Sequence, residues 1–214
     1  MQNPPAYPDQ SPYSPGPPMA PQQPKKGFPV WAIVLLVLLG LAGFMLITLV
    51  TLGIYGTRRY LAAAKTAEAK NTIGAISRDA VAAYEKEQVG ADDQLTHRLC
   101  ASAVPVPASL ASVKGLKYLP SSAPGTDFNS GDAQNGWKCL RFSMTMPNYY
   151  RYQYNKGSGY LAPSLAPGPN GFEASAQGDI DANGTLSTFA RTGMVNPSGD
   201  LVLATTIYIE NEME

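Results

Sequence analysis

The sequence predicts an α+β fold in which a long N-terminal helix packs on a C-terminal antiparallel β-sheet. Residues 30–55 form an uninterrupted run of 26 uncharged residues, and apolar residues continue at helical spacing beyond it. After Cys100 the chain changes to short alternating segments separated by clusters of glycine, proline, asparagine and serine. A helical half followed by a half made of antiparallel strands is the pattern of an α+β domain.

The first predicted element is a transmembrane helix over residues 30–55. This run is longer than the roughly 20 residues that span a bilayer core, and inside lipid a helix satisfies every backbone group. Basic residues flank the run on both sides, so the positive-inside rule does not fix its orientation. They are Lys25 and Lys26 before the run and Arg58, Arg59 and Lys65 after it.

Residues 1–29 are predicted to form a disordered cytoplasmic tail. Positions 1–24 are dominated by proline, glutamine, tyrosine and serine, and such a composition buries too little apolar surface to fold. Two roles fit a tail of this kind: a docking ligand for a cytoplasmic partner, or a flexible solubilising leader.

Residues 56–89 are predicted to continue the transmembrane helix as an amphipathic helix. Ile73, Ile76, Ala80 and Tyr84 recur at helical spacing, and no proline occurs between positions 29 and 105. We therefore predict one continuous helix from residue 30 to about Gln88. Its apolar stripe needs a covering surface, which the C-terminal sheet would provide.

Residues 90–214 are predicted to form a β-rich domain of four or five short antiparallel strands. Alternating patterns occur in GWKCLRFSM, YYRYQY, FEASA and LVLATTIYI, and turn-rich segments separate them. The residues predicted to share a face within each strand are Leu140, Phe142 and Met144; Tyr150, Tyr152 and Tyr154; Phe172 and Ala174; and Leu201, Leu203 and Ile207.

The two cysteines of the chain, Cys100 and Cys139, both fall in this domain. In an extracytoplasmic domain two cysteines most simply form one disulfide, and the alternative is a pair of buried free thiols. The disulfide and the larger C-terminal part favour a cytoplasmic N-terminus. The β-rich domain would then be periplasmic or extracellular.

The charge and motif inventory gives no indication of catalysis or of nucleic-acid binding. From Arg58 onward 14 basic residues stand against 15 acidic ones, so the domain lacks a basic field for nucleic acid. His97 is the only histidine, and no glycine-rich phosphate loop follows a strand. We predict that the protein is not an enzyme, and no motif identifies a small-molecule substrate.

Residues 179–187, DIDANGTLS, form the clearest candidate site. Oxygen-bearing side chains at positions 1, 3 and 5, glycine at position 6 and serine at position 9 match the start of a calcium loop. Position 12 is Ala190, so further ligands would have to come from outside the loop, with Glu173 or Asp200 as candidates. The alternative is an Asx-rich turn between two strands, with Asn183-Gly184 making the hairpin. The predicted metal ligands are Asp179, Asp181, Asn183, Thr185 and Ser187.

Residues 60–87 resemble the N-terminal helix of type IV pilins and the related pseudopilins. In that family the membrane run continues into a Tyr-x-Ala-x-Ala-Lys-x-x-Glu-Ala stretch, which residues 60–69 match. Residues 176–189, AQGDIDANGTLSTF, are similar to the Asp-rich turn and strand of pilin-like proteins from delta-type Gram-negative bacteria. The order of long helix, loop region, antiparallel sheet and C-terminal disulfide also agrees, so the resemblance covers most of residues 30–214.

The resemblance implies a pilin-like structural or assembly protein of the cell envelope. It would belong to a type IV pilus, to a filament of the type II secretion kind or to an accessory of either, in the bacterial inner membrane. Its implied partners are the lipid bilayer and copies of itself or other pilin-like subunits. Gly27-Phe28 resembles the prepilin cleavage site. The alternative function is a single-pass, membrane-anchored periplasmic ligand-binding or sensor domain that does not polymerise.

The chain departs from the family pattern at three places. The family has an acidic residue five positions into the mature chain, where this sequence has Ala32, or Leu38 when aligned on Tyr60. Gly27 lies 33 residues before Tyr60, several more than the family spacing. Tyr55 stands where the family commonly has the proline that bends the helix.

Overall fold

The computed structural model describes residues 27–86, 88–89, 95–162 and 166–213. Residues 1–26 of the predicted disordered tail, 1–29, therefore lie outside the described residues. The chain divides into two compact units. The described part of the first is helical up to Val50, and the second, Thr51–Glu214, contains the rest of this helix and the β-sheet.

One helix, α1, runs from Val30 to Glu85 and confirms the prediction of a single continuous element. Its 56 residues correspond to about 84 Å at 1.5 Å per residue. It is long and apolar enough to cross a membrane. The helix ends at Glu85, three residues before the predicted end, because Gln88–Val89 (β1) pairs antiparallel with Leu95–Thr96 (β2) instead of continuing the helix.

The predicted apolar stripe of α1 is covered, as expected. Ile73 and Ile76 are fully buried, and Ala80 and Tyr84 are 2% and 8% exposed. The Tyr84 hydroxyl donates a hydrogen bond of 2.8 Å to the carbonyl of Gly199, which ties the end of the helix to a turn of the sheet. Burying one Ile side chain stabilises the fold by about 1.5–3 kcal/mol, so this stripe fixes the C-terminal half of α1 on the domain.

The main sheet has five antiparallel strands. Its order is β3-β4-β5-β6, and β7 also pairs with β5. The strands are Arg151–Lys156 (β3), Gly171–Gly178 (β4), Ser187–Val195 (β5), Leu201–Leu203 (β6) and Tyr208–Glu210 (β7). The register sets Tyr152 opposite Ala176, and Ala176 opposite Phe189. An α+β arrangement of one long helix on an antiparallel sheet is therefore the architecture of this chain.

Two strand predictions need correction. GWKCLRFSM contains a short helix, α2 (Gly136–Leu140), which ends where Arg141 adopts the left-handed conformation with φ of 59°. LVLATTIYI is divided into β6 and β7, since both strands pair with β5 at different positions. FEASA lies in β4, as predicted, and both of its faces are buried, because main-chain groups of Leu161 and Ala162 contact Glu173 on the face away from Phe172 and Ala174.

The aromatic core lies between α1, α2 and β3. Trp137 is fully buried, and its indole nitrogen donates a hydrogen bond of 2.8 Å to the carbonyl of Val104. Phe128 meets Trp137 and Phe142 edge to face, with ring centroids 4.9 and 5.3 Å apart. Edge-to-face pairs contribute about 0.5–1.5 kcal/mol beyond the area they bury. These contacts hold the irregular segments before β3 against the sheet.

Candidate functional site

The apolar run of α1 exposes nearly all of its side chains. The large apolar residues between positions 30 and 55 are 49% to 76% exposed. Four glycines, Gly40, Gly43, Gly53 and Gly56, have open space where a Cβ would stand, so a second helix could approach the backbone there. Apolar surface of this extent is stable only when lipid or other apolar helices cover it.

Cys100 and Cys139 form the predicted disulfide. Their Cα atoms are 5.8 Å apart, and 39 positions separate them in the sequence. The bridge joins the segment after β2 to α2, and backbone hydrogen bonds reinforce the same junction. Ala101 donates to the carbonyl of Gln134 at 3.0 Å, and Gly136 donates to the carbonyl of Ala101 at 3.2 Å.

Residues 179–186 connect β4 to β5, as the hairpin interpretation predicted, and the loop is held by its own side chains. Asp181 Oδ1 accepts from the Asn183 amide at 3.1 Å, and Asn183 Oδ1 accepts from the Thr185 amide at 2.6 Å. Asp179 Oδ2 accepts from the Gly184 amide at 3.0 Å. The Ser187 hydroxyl instead donates a hydrogen bond of 3.0 Å to the carbonyl of Gly178, the last residue of β4. These bonds are typical of an Asx-rich turn.

The two outside ligands proposed for calcium do not reach this loop. Glu173 lies within β4, where its two oxygens accept the amides of Leu161 and Ala162, both at 2.8 Å. Asp200 lies in the turn between β5 and β6, whereas the 179–186 loop lies at the other end of β5. Within the described ranges no three His, Cys, Asp or Glu side chains are grouped to hold a metal ion.

One buried oxygen of the loop has no protein partner. Asp179 is 4% exposed, and its Oδ1 atom accepts no hydrogen bond. Lys114 Nζ stands 3.9 Å from the other carboxylate oxygen. Calcium binding at this loop therefore stays a prediction, with Asp179 Oδ1 as the atom that an ion would contact.

The calcium prediction is tested by melting the protein with calcium and with a chelator. Binding to the folded state alone would stabilise it by about 1.4 kcal/mol at tenfold excess over Kd. We expect millimolar calcium to raise the melting temperature of the wild type and not that of Asp179→Ala/Asp181→Ala. If the wild type melts at the same temperature with calcium as with the chelator, the loop is an Asx turn that binds no calcium.

The structure gives a role to Glu68, the glutamate of the pilin-like motif, for which the sequence predicted none. Its Oε1 atom accepts from the Tyr149 amide at 2.9 Å and from the Tyr152 hydroxyl at 3.3 Å. Burial raises the pKa of the Glu68 carboxyl, although these hydrogen bonds and Lys117 act in the opposite direction. Glu68 thus fixes α1 to the start of β3. Its motif position was the one signal in the sequence.

The predicted processing site lies directly before α1. Gly27 and Phe28 are outside regular structure and exposed, Phe28 by 80%. The helix begins at Val30, after Pro29. An exposed peptide of this kind is sterically open to a peptidase, so cleavage between Gly27 and Phe28 remains a prediction.

A cleft of about 800 Å³ lies beside the far end of α1 and the disulfide. Its charged lining residues are Asp79, Lys86, Asp132, Lys138 and Arg141. Burial raises the pKa of Asp79 despite the neighbouring Arg78. The cleft mixes both signs of charge and so shows no preference for an anionic or a cationic ligand.

Comparison with known proteins gives no match: no protein-family model, no curated protein and no solved structure is significantly similar to this chain.

Proposed function

We propose that the protein is a pilin-like structural subunit of the bacterial cell envelope. The observation that carries this proposal is α1, a 56-residue helix whose N-terminal part is apolar and exposed while its C-terminal part is buried on a sheet. Such a helix anchors a folded domain outside the membrane and exposes an apolar helical surface to other copies of the chain. The function is structural, through packing of copies along α1.

Polar contacts along the C-terminal half of α1 join the helix to the domain. Lys65 Nζ donates 3.3 Å to the carbonyl of Ile180, Glu68 accepts from Tyr149, and Lys70 pairs with Glu212. Together with the buried Ile73 and the Tyr84 hydrogen bond, these contacts fix the helix on the domain from Lys65 to Tyr84.

The proposed location is the inner membrane, with the N-terminus in the cytoplasm and the domain in the periplasm or outside the cell. The support is the Cys100–Cys139 disulfide, because disulfides persist in oxidising compartments and are rare in the cytosol.

A second function, a membrane-anchored binding or sensor domain that does not polymerise, is favoured by one observation. Residues 30–55 contain no carboxylate, whereas subunits of the resembled family carry one in the membrane run for assembly. Ala32 and Leu38, the two candidate positions, are both apolar.

N-terminal sequencing of protein extracted from membranes separates the two functions. The pilin-like function expects a mature chain that begins at Phe28, because processing releases the apolar helix end for assembly. Protein that retains residues 1–27 throughout the envelope would instead support the anchored domain.

A further inference from the structure

A surface with exposed apolar and basic residues lies at the end of the domain nearest to the start of its helix. Leu116, Leu119 and Met146 are 65%, 64% and 73% exposed. The two segments that carry them run side by side, since the amides of Tyr118 and Asn148 donate to each other's carbonyls at 2.8 and 2.9 Å. We call Lys114, Leu116, Lys117, Leu119 and Met146 the surface patch.

The surface patch is fixed beside α1 by Tyr149. The ammonium groups of Lys65 and Lys117 lie 4.5 and 4.8 Å from the centroid of the Tyr149 ring. A cation over an aromatic face is attracted by the ring quadrupole, so one lysine from the helix and one from the patch converge on the same side chain. The patch therefore stands at the level of Lys65 along the helix.

That level lies a short distance outside the headgroup layer when α1 runs along the membrane normal. Tyr55 is the last residue of the predicted transmembrane helix, 30–55, and Lys65 follows it by ten residues in α1, about 15 Å along the helix axis. The polar headgroup layer extends roughly 5–8 Å beyond the hydrocarbon core on each side. About 7–10 Å then separates the level of Lys65 from the headgroup layer. Long lysine side chains extend their charged ends toward such an interface and shorten this distance.

The charges at this end of the domain are predominantly basic. Between the uncharged run and the patch lie Arg58 and Arg59, both exposed, and the patch adds Lys114 and Lys117. Two nearby carboxylates are directed inward: Asp179 is buried, and Glu68 accepts hydrogen bonds from β3 and its preceding residue. Asp181 is the exposed carboxylate of the adjoining loop. Basic and apolar side chains together are the combination that binds anionic lipid surfaces.

We propose that the surface patch binds the anionic phospholipid surface of the leaflet that adjoins Tyr55. Membrane helices are tilted by about 20° on average, and a tilt of α1 toward the patch brings Lys114 and Lys117 to the lipid phosphates and Leu116, Leu119 and Met146 to the headgroup layer. This proposal rests on the membrane-anchored helix of the proposed function, but it requires no assembly of copies. Docking would hold the domain against the bilayer until the chain assembles with other subunits.

Hydrogen exchange of the full chain in nanodiscs tests this proposal. The discs hold one copy each and contain either phosphatidylcholine alone or phosphatidylcholine with phosphatidylglycerol. We expect amides of residues 114–119 and 143–149 to exchange about fivefold more slowly in the discs with phosphatidylglycerol, because each lysine gains from the anionic surface. Adding free glycerol phosphate to phosphatidylcholine discs should not reproduce this protection if a lipid surface is bound.

Two variants and a matched control complete the test. Lys114→Glu/Lys117→Glu and Leu116→Ser/Leu119→Ser should each lose the protection. Lys86→Glu/Lys138→Glu, which reverses two exposed lysines at the far cleft, should keep it. Equal exchange in both kinds of disc overturns the proposal, and so does protection that appears only when discs hold two copies. Fast exchange of residues 30–55 would instead show that the membrane anchor itself, and hence the proposed function, is wrong.

Discussion

Replacing both Cys100 and Cys139 by alanine is expected to lower the free energy of unfolding by about 4 kcal/mol. The bridge closes a loop over 39 positions, and loop-closure entropy of the unfolded chain gives a cost of that size. For a domain of this length the melting temperature should fall by about 8–16 °C. Thermal unfolding of the full chain in detergent, followed by circular dichroism, measures the effect.

Reductant provides the control for the disulfide. It should lower the melting temperature of the wild type toward that of the double variant and leave the double variant unchanged. An oxidised wild type that melts at the same temperature as its fully reduced form would contradict the stabilising role of the bridge.

Replacing Glu173 by alanine is expected to cost about 2–6 kcal/mol. Glu173 is fully buried, and each of its carboxylate oxygens accepts one backbone amide, from Leu161 and from Ala162. Alanine leaves both amides without a partner, and each buried unpaired donor costs about 1–3 kcal/mol. Glu173→Gln keeps one acceptor but sets an amide group against the second donor, so about 2 kcal/mol is expected. Urea unfolding of the three proteins measures the differences.

The pH dependence of the same residue has a definite sign. Burial raises the pKa of the Glu173 carboxyl, although the two amide bonds and Ser175 act in the opposite direction. A raised folded pKa means that this group contributes its stability below the unfolded pKa and loses it as pH rises through the folded pKa. The stability difference between wild type and Glu173→Gln should therefore shrink as pH rises through that range. A Glu173→Gln difference independent of pH would contradict the burial argument.

The long helix and the first strand of the main sheet could be predicted from the sequence because local signals determine them. No proline interrupts residues 30–85. The apolar residues through Ile73 and Ile76 recur at helical spacing, and the same residues are buried in the structure. The alternation of Tyr150, Tyr152 and Tyr154 likewise identified β3, and all three tyrosines, the first directly before the strand and the other two within it, are fully buried. Their burial also shows in the pKa values, since burial raises the pKa of Tyr150 to about 12.

Other elements depend on tertiary contacts that sequence patterns do not report. Leu140 and Phe142 alternate as in a strand, but the packing of Trp137 and the disulfide at Cys139 favour a helical turn there. Glu173 looked like a surface ligand because its neighbours alternate. Its partners are the backbone amides of Leu161 and Ala162, which lie in a loop whose sequence shows neither helical nor strand periodicity. The surface patch was missed for a similar reason, since Tyr149 connects two segments that are far apart in sequence.

The central claim, that copies of this chain pack along α1 in the membrane, is tested most directly by site-specific photo-crosslinking in intact cells. The photoreactive residue replaces Leu46 in the apolar run or Ala67 on the exposed side of the helix, and Ser122 on an exposed loop serves as the control. The account predicts covalent homodimers from Leu46 and Ala67 and none from Ser122. Membrane-inserted protein that remains monomeric at all three positions would contradict it.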